Sequence, residues 1–321
     1  MHTRPIQDFA PARVGLALVL LFGSACGAAE KQAGAGKTWR DCPECPELVT
    51  IPAGTFTMGS SPAETTMAGV PESRAVNEQP AVEVTIGKSF AIGRYELTIG
   101  EFRAFATATG FKSTPGCFGF KDKSWALFPA ATWDAPGHPV TDRHPAMCLN
   151  SSEYGQYLAW LSRKTGATYR LPTEAEWEHA ARLGTPAGPA PQADDTGACK
   201  EFNAADRQFT VNYDDKWPAF ACDDGYLVTA PAGTYAANAL GMYDVLGNVA
   251  ELTADCFVAG HNGQPADGSA RRFAPEPCNP LVFKGGSWAG EPSFLRPAFR
   301  VAATAEVRGN GFGMRLVREL P

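Results

Sequence analysis

The chain lacks any cluster of basic residues, any apolar run long enough for a membrane span and any pair of histidines at ligand spacing, and each shortage removes a class of function. Its 28 Lys and Arg are interspersed among 34 Asp and Glu for a net charge of −6, so no basic stripe can track a phosphate backbone and nucleic acid is not an expected partner. The apolar stretch from Val14 to Phe22 is too short to cross a bilayer as a permanent helix. Beyond the leader the histidines are His138, His144, His179 and His261, and the first two sit in the proline-rich run HPVTDRHP. None is spaced to share a metal with another, and a lone helical His179 reads as a packing or surface residue. Cys42 and Cys45 form a C-x-x-C with no second copy, which favours a short structural bridge over a redox motif or half a zinc site. No internal repeat and no linker interrupts the chain after residue 48, so one domain is expected from 48 to 320.

Turn formers, by contrast, are abundant: 33 Gly and 26 Pro in 321 residues, scattered rather than tracted. They read as punctuation between short elements, and the expected fold is α+β, loop-rich, with little long helix. Arg4 and Arg13 ahead of the Val14–Phe22 run give residues 1–26 the form of a signal peptide. Gly23-Ser24-Ala25-Cys26 resembles a lipoprotein cleavage box, with Gly23 where the usual box has Leu. Cys26 is therefore a candidate for lipidation, with simple secretion as the alternative, and in either case the chain is exported to the periplasm or outer membrane of a bacterium. The only membrane contact expected is that lipid anchor. Residues 27–47, rich in Ala, Gly, Lys and Glu, read as a tether. Eight of the nine cysteines remain beyond Cys26, an even number suited to an oxidising compartment. Pairing neighbours along the chain gives Cys117 with Cys148, Cys199 with Cys222, and Cys256 with Cys278.

Local patterns place the elements. Val49, Ile51, Phe56 and Met58 bracket a Pro-Ala-Gly turn and predict a hairpin, and Val82, Val84 and Ile86 alternate as a half-buried strand. Phe90, Ile92 and Tyr95 lead to Thr98, a helix N-cap, with Phe102, Phe105 and Ala106 on one face. A second helix starts at Ser151 or Ser152, buries Tyr154, Tyr157, Leu158 and Leu161, and stops at Gly166. Thr173 and Glu176 form a capping box that opens a third helix through Trp177 to Gly184. Residues 185–235 read as loops, followed beyond Val245 by short strands.

The phrases IPAGTFTMG at 51–59, YELTIGEF at 95–102, RLPTEAEWEHAAR at 170–182, NALGMYDVLGNVAEL at 238–252, KGGSW at 284–288 and GFGMRLV at 311–317 occur in the order used by formylglycine-generating enzymes. The chain resembles that sulfatase-modifying-factor family over nearly all of 48–320. The resemblance implies a single C-type-lectin-like domain, often stabilised by metal. The turn from Gly241 to Leu252 displays Asp244, Gly247, Asn248 and Glu251, hard oxygens of the kind calcium takes. The family's calcium positions map onto Asp244, the backbone of Gly247 and Val249, and Glu251, and a second set onto Asn203, the carbonyl of Ala204, Asp224 and the carbonyl of Tyr226. The expected role is structural.

The family oxidises a substrate cysteine with copper held by two cysteines just after the GGS[FW] phrase, since thiolate is the soft ligand that selects Cu(I). Here those positions are Gly290 and Leu295, so copper is not expected and the catalytic residues stay unassigned. The family groove retains Ser287, Trp288, Glu291, Arg296, Arg300 and Arg315, which suit an anionic or peptide-like ligand if they face it, or pack and bridge loops if they do not. The expected function is binding of a peptide-like or small ligand without copper-cysteine chemistry. The alternatives are a periplasmic oxidase that matures a peptide or siderophore-type substrate, and formylglycine generation on a sulfatase cysteine.

Overall fold

The structure, a computed structural model, describes Met1 and residues 36–185, 191–273 and 278–321. Residues 2–35 lie outside the described residues, and with them Cys26, nearly all of the segment expected to be a signal peptide and the first part of the expected tether. Along the chain come β1 (Thr38–Trp39), β2 (Leu48–Ile51), β3 (Gly54–Met58), α1 (Pro62–Met67), α2 (Glu72–Ala75), β4 (Val82–Ile86), β5 (Phe90–Gly93) and α3 (Ile99–Thr109). Next are β6 (Cys117–Lys121), β7 (Ser124–Phe128), α4 (Ser151–Thr165), β8 (Tyr169–Arg170), α5 (Glu174–Gly184) and α6 (Arg207–Asn212). The last stretch carries β9 (Ala250–Cys256), β10 (Leu281–Lys284), β11 (Arg300–Ala303), β12 (Phe312–Gly313) and β13 (Val317–Glu319). This is the expected α+β, loop-rich architecture, with few helices and small sheets.

The helices start where side chains can take up their free N–H groups. Thr98, Asn150 and Thr173 each cap a helix and are answered three residues on by Glu101, Glu153 and Glu176. α4 starts at Ser151, as expected, with Asn150 as its cap. Gly110 and Gly166 end α3 and α4 in the left-handed conformation. Phe102 and Phe105 of α3 meet Tyr157 of α4 to build one core, while Trp177, Ala180 and Ala181 of α5 pack with Val49, Ile92 and Val317 in another.

A five-stranded sheet runs β1-β2-β5-β13-β8 and a four-stranded sheet β11-β10-β9-β12, with β3-β4 and β6-β7 as separate pairs. Two expectations fail here. β2 and β3 are not a hairpin: β2 pairs with β1 and β5, and β3 with β4. All four residues of β2 are buried, as an internal strand demands, whereas β3 alternates and sits in a two-stranded pair. The folded body also begins before Leu48, because Thr38 and Trp39 pair with Val49 and Leu48 and the Cys42–Cys45 bridge closes the intervening turn. The other disulfides join Cys117 to Cys148, Cys199 to Cys222 and Cys256 to Cys278, a set that fits an oxidising compartment. Among the described residues no helix is long and apolar enough to cross a membrane.

Candidate functional site

The segment after β10 turns on Gly285 and Gly286, both at positive φ. A Cβ at Gly285 would lie 2.7 Å from the Val245 carbonyl oxygen, so glycine lets this turn press onto the 245–248 turn. Gly247 N–H donates to Gly285 O at 2.9 Å, and Trp288 N–H donates to Asn248 O at 2.9 Å. The two family positions of the copper thiolates are filled from within. Leu295 is 1% exposed and packs against Gly286 and Gly290, whose own N–H closes a tight turn onto Ser287 O. All eight cysteines of the described residues are in disulfides, so none presents a thiolate.

The arginines, read from sequence either as facing a ligand or as bridging loops, face carboxylates of the chain itself. Arg315 is completely buried, donating to both Glu251 oxygens and to the carbonyls of Gly93 and Tyr243. Arg300 forks onto Glu174 at 2.5 and 2.8 Å, and Arg296 onto Glu78 at 2.7 and 2.5 Å. Glu291 pairs with Arg74 at 3.4 Å. Trp288 is likewise buried, its Nε1–H donating to Asn310 O at 3.1 Å. These residues therefore do not line an open groove: an unpaired buried guanidinium is costly, and each has found its anion inside the fold. Lys284, fully buried, bridges Glu178 at 2.9 Å and Glu174 at 3.5 Å. Against the cost of burial, Lys284 and then Arg182 hold Glu178 down at about 2, and Arg300 and Lys284 lower Glu174. Asp255, which accepts the N–H groups of Glu174 and Arg271, is pushed up to about 7 by burial and then by Glu174.

Of the six groove residues only Ser287 and Glu291 keep partial exposure. Around Gly311 the Trp125 ring, the Ser287 hydroxyl and the Trp288 indole nitrogen converge, each 3.2 to 3.5 Å from where a Cβ would stand. Trp125 is exposed, as are Phe118 and Leu127 on the same hairpin, and strand register puts all three on one face with Phe120. Phe120 anchors that face on Phe209, Tyr213 and Trp217. Asn310 Oδ1 lies buried beside it without a hydrogen-bond partner. Trp125 and Asn310 were not singled out from sequence; the Ser-Trp-Ala-Leu-Phe run of β7 is the signal that marks the first.

The two sets of expected calcium residues part company. Glu251 is consumed by Arg315 and by Trp177, whose Nε1–H donates to it at 2.6 Å, while Asp244 accepts the Gly233 N–H at 2.6 Å. Val249 gives its N–H to Glu96, a buried carboxylate raised well above its ordinary range by burial and then by Asp244 and Glu251. Burial likewise pushes Asp244 up to about 6. The positive charge of this first set is Arg315, and the residues do not fit a calcium ion bound through Glu251. In the second set Asn203 Oδ1 is buried with no partner, its amide being held by Val228 O and Asn248 Oδ1. Asp224 accepts the N–H groups of Ala204 and Tyr226, and burial, then Asp206, push it up to about 7. An orphaned amide oxygen beside a carboxylate short of positive charge is a donor set that fits a hard cation. His179 and His138 sit apart, bonded to Pro52 O and the Thr229 hydroxyl.

Comparison with known proteins agrees with this architecture. The sulfatase-modifying factor enzyme 1-like domain matches residues 35–320. A formylglycine-generating enzyme of Thermomonospora curvata is 31% identical over 284 residues, 80% of this chain and 86% of that one. The inactive C-alpha-formylglycine-generating enzyme 2 of Mus musculus is 29% identical, over 76% of this chain and 74% of that one. The solved structure of PvdO from Pseudomonas aeruginosa superposes with a TM-score of 0.73 at 36% identity, covering 89% of this chain and 99% of its own. With the match running from the first paired strand to the last, the chain belongs to the sulfatase-modifying factor enzyme 1-like family.

Proposed function

We propose that this chain is an exported, envelope-facing member of its family that binds a small or peptide-like ligand and has lost copper-cysteine oxidation. The observation that carries the reading is the replacement of both thiolate positions by Gly290 and a buried Leu295, in a domain whose mature cysteines are tied up as disulfides. The ligand surface we favour is the aromatic face of β6–β7 beside Ser287, where Trp125 offers rigid contact area and Ser287 a hydroxyl. A structural calcium ion, held by Asn203, the Ala204 carbonyl, Asp224 and the Tyr226 carbonyl, would supply the charge those loops lack. Neither nucleic acid nor a membrane-spanning segment enters the reading; a lipid on Cys26 would be its only membrane contact.

The test is incubation of the purified, disulfide-intact protein with Cu(I), oxygen and a sulfatase peptide containing the target cysteine. Mass analysis is expected to find the peptide unchanged, while conversion to the aldehyde would refute the reading. Tryptophan fluorescence titrations with peptide and small-molecule libraries are expected to respond in the parent and not in Trp125→Ala. A second reading, oxidation of a peptide or siderophore-type substrate, draws on the 36% identity to PvdO. Stoichiometric copper or iron in the isolated protein would favour it; calcium alone favours binding.

A further inference from the structure

The hairpin β6–β7 is bonded to the rest of the fold along one edge. Phe118 N–H donates to Arg308 O and Phe118 O accepts the Asn310 N–H, both at 2.8 Å, so both backbone groups of Phe118 point away from β7. Antiparallel strands alternate between residue pairs that exchange hydrogen bonds and pairs whose backbone groups point outward. Phe118 stands opposite Leu127 and Phe120 opposite Trp125, so these are the outward pairs. The tight turn at Asp122 and Lys123, both at positive φ, sets the same register from the other end. On the far side of β7 the N–H and C=O groups of Trp125 and Leu127 therefore point away from the hairpin, and among the described residues no other segment bonds to them. Every residue from Lys121 to Ala130 is exposed or half-buried, so nothing covers that edge.

Such an edge is a template for one more strand, and folded proteins ordinarily spoil theirs with charge, proline or a bulge. The central Trp-Ala-Leu of β7 has none of these. Phe118, Trp125 and Leu127, which are 44%, 41% and 53% exposed, add an apolar face to the unpaired backbone. What fits the edge is an uncharged strand with large apolar side chains at alternate positions, and β7 is itself such a strand.

We propose that two copies of this chain pair through β7, antiparallel about a two-fold axis at Ala126. In that register each Trp125 lies opposite Leu127 of the partner subunit, and each outward N–H of the two residues meets an outward C=O. Lys121, Asp122 and Lys123 fall beyond the paired stretch, so no like charges are brought face to face. The Trp125 ring and the Ser287 hydroxyl converge on Gly311, so Leu127 of the partner subunit adds an apolar side chain to the candidate ligand face. The pairing itself does not rest on that face binding a ligand. Apolar side chains of this size and exposure bury on the order of 300 Å² per copy, below the ~800 Å² of a standard interface, so the dimer is weak and concentration-dependent.

The experiment is sedimentation equilibrium of the purified mature protein, disulfides intact, from about 1 μM to about 1 mM. The mass is expected to rise from one chain to two and to stop there, because a two-fold contact closes on itself. Leu127→Pro removes an outward N–H that the hairpin does not use, and Leu127→Lys puts a charge on the edge. Each should weaken the dimer by more than about tenfold with an unchanged far-UV spectrum, the lysine variant serving should the proline one not fold. The two Ala126 positions face each other at about 4.5 Å between Cα atoms, within reach of a disulfide. Ala126→Cys should therefore give a covalent dimer under mild oxidation, whereas Ser124→Cys, whose two copies lie at opposite ends of the paired stretch, should not. A single-chain mass throughout the range, which would leave the edge to a strand from another protein, would overturn the proposal. So would growth beyond two chains, a dimer that survives Leu127→Lys, or equal cross-linking by the two cysteines.

Discussion

Two turns rich in carboxylates lie close together in this fold and have opposite fates. At Glu251 the charge is matched internally: Arg315 and Trp177 occupy both oxygens, and the pair is sealed from solvent. At Asp224 there is no matching guanidinium, and the neighbouring Asn203 oxygen is left without a donor. The first region has its charge matched from within, while the second holds a buried carboxylate and an amide oxygen without such a match. The contrast teaches that a carboxylate display in sequence becomes a ligand site only where the chain has not already supplied the cation.

The largest break in that contrast comes from Arg315→Met. Stranding Glu251 in a fully buried site should cost about 3–5 kcal/mol, read as a fall in the urea midpoint or outright failure to fold. Next comes calcium itself: at about a hundred times its dissociation constant it should stabilise the parent by roughly 2.7 kcal/mol and the Asp224→Asn variant hardly at all. If the calcium effect survived Asp224→Asn, the assignment of the open turn would be wrong. A smaller effect belongs to Asp255. The folded state keeps its proton up to about 7 whereas an unfolded aspartate releases it near 4, so this group's stabilising contribution falls as pH rises through that window. Asp255→Asn has no such proton to lose, and its melting temperature should gain on the parent by roughly a few degrees between pH 5 and pH 8. The smallest effect on stability is that of Trp125→Ala, about 1 kcal/mol because the residue is 41% exposed and its ring packs only at its edge of the fold on Phe120 and Trp288, even though ligand binding at that face should be lost.

Sequence was most informative where the physics is local. The N-cap at Thr98, the capping box at Thr173 and the stop at Gly166 depend on residues close along the chain, and they appear where the pattern put them. The family phrases carried the fold. Strand partnership was less legible: Val49 and Phe56 are near neighbours in the chain, yet their strands belong to different sheets, since pairing follows burial and not proximity. The candidate groove was the least legible part. Arg296 finds Glu78 across 218 positions and Arg300 finds Glu174 across 126, and nothing near either arginine announces that its charge is already taken. Trp288 was one of two readings from sequence, wall or core, and its buried indole decides for the core.

The central claim concerns sulfur, and competition for Cu(I) tests it most directly. Purified mature protein with its four bridges intact, titrated against a colorimetric Cu(I) chelator, should leave all the copper on the chelator. One equivalent of copper withdrawn by the protein, with an absorption edge that reports two sulfur ligands, would contradict the account.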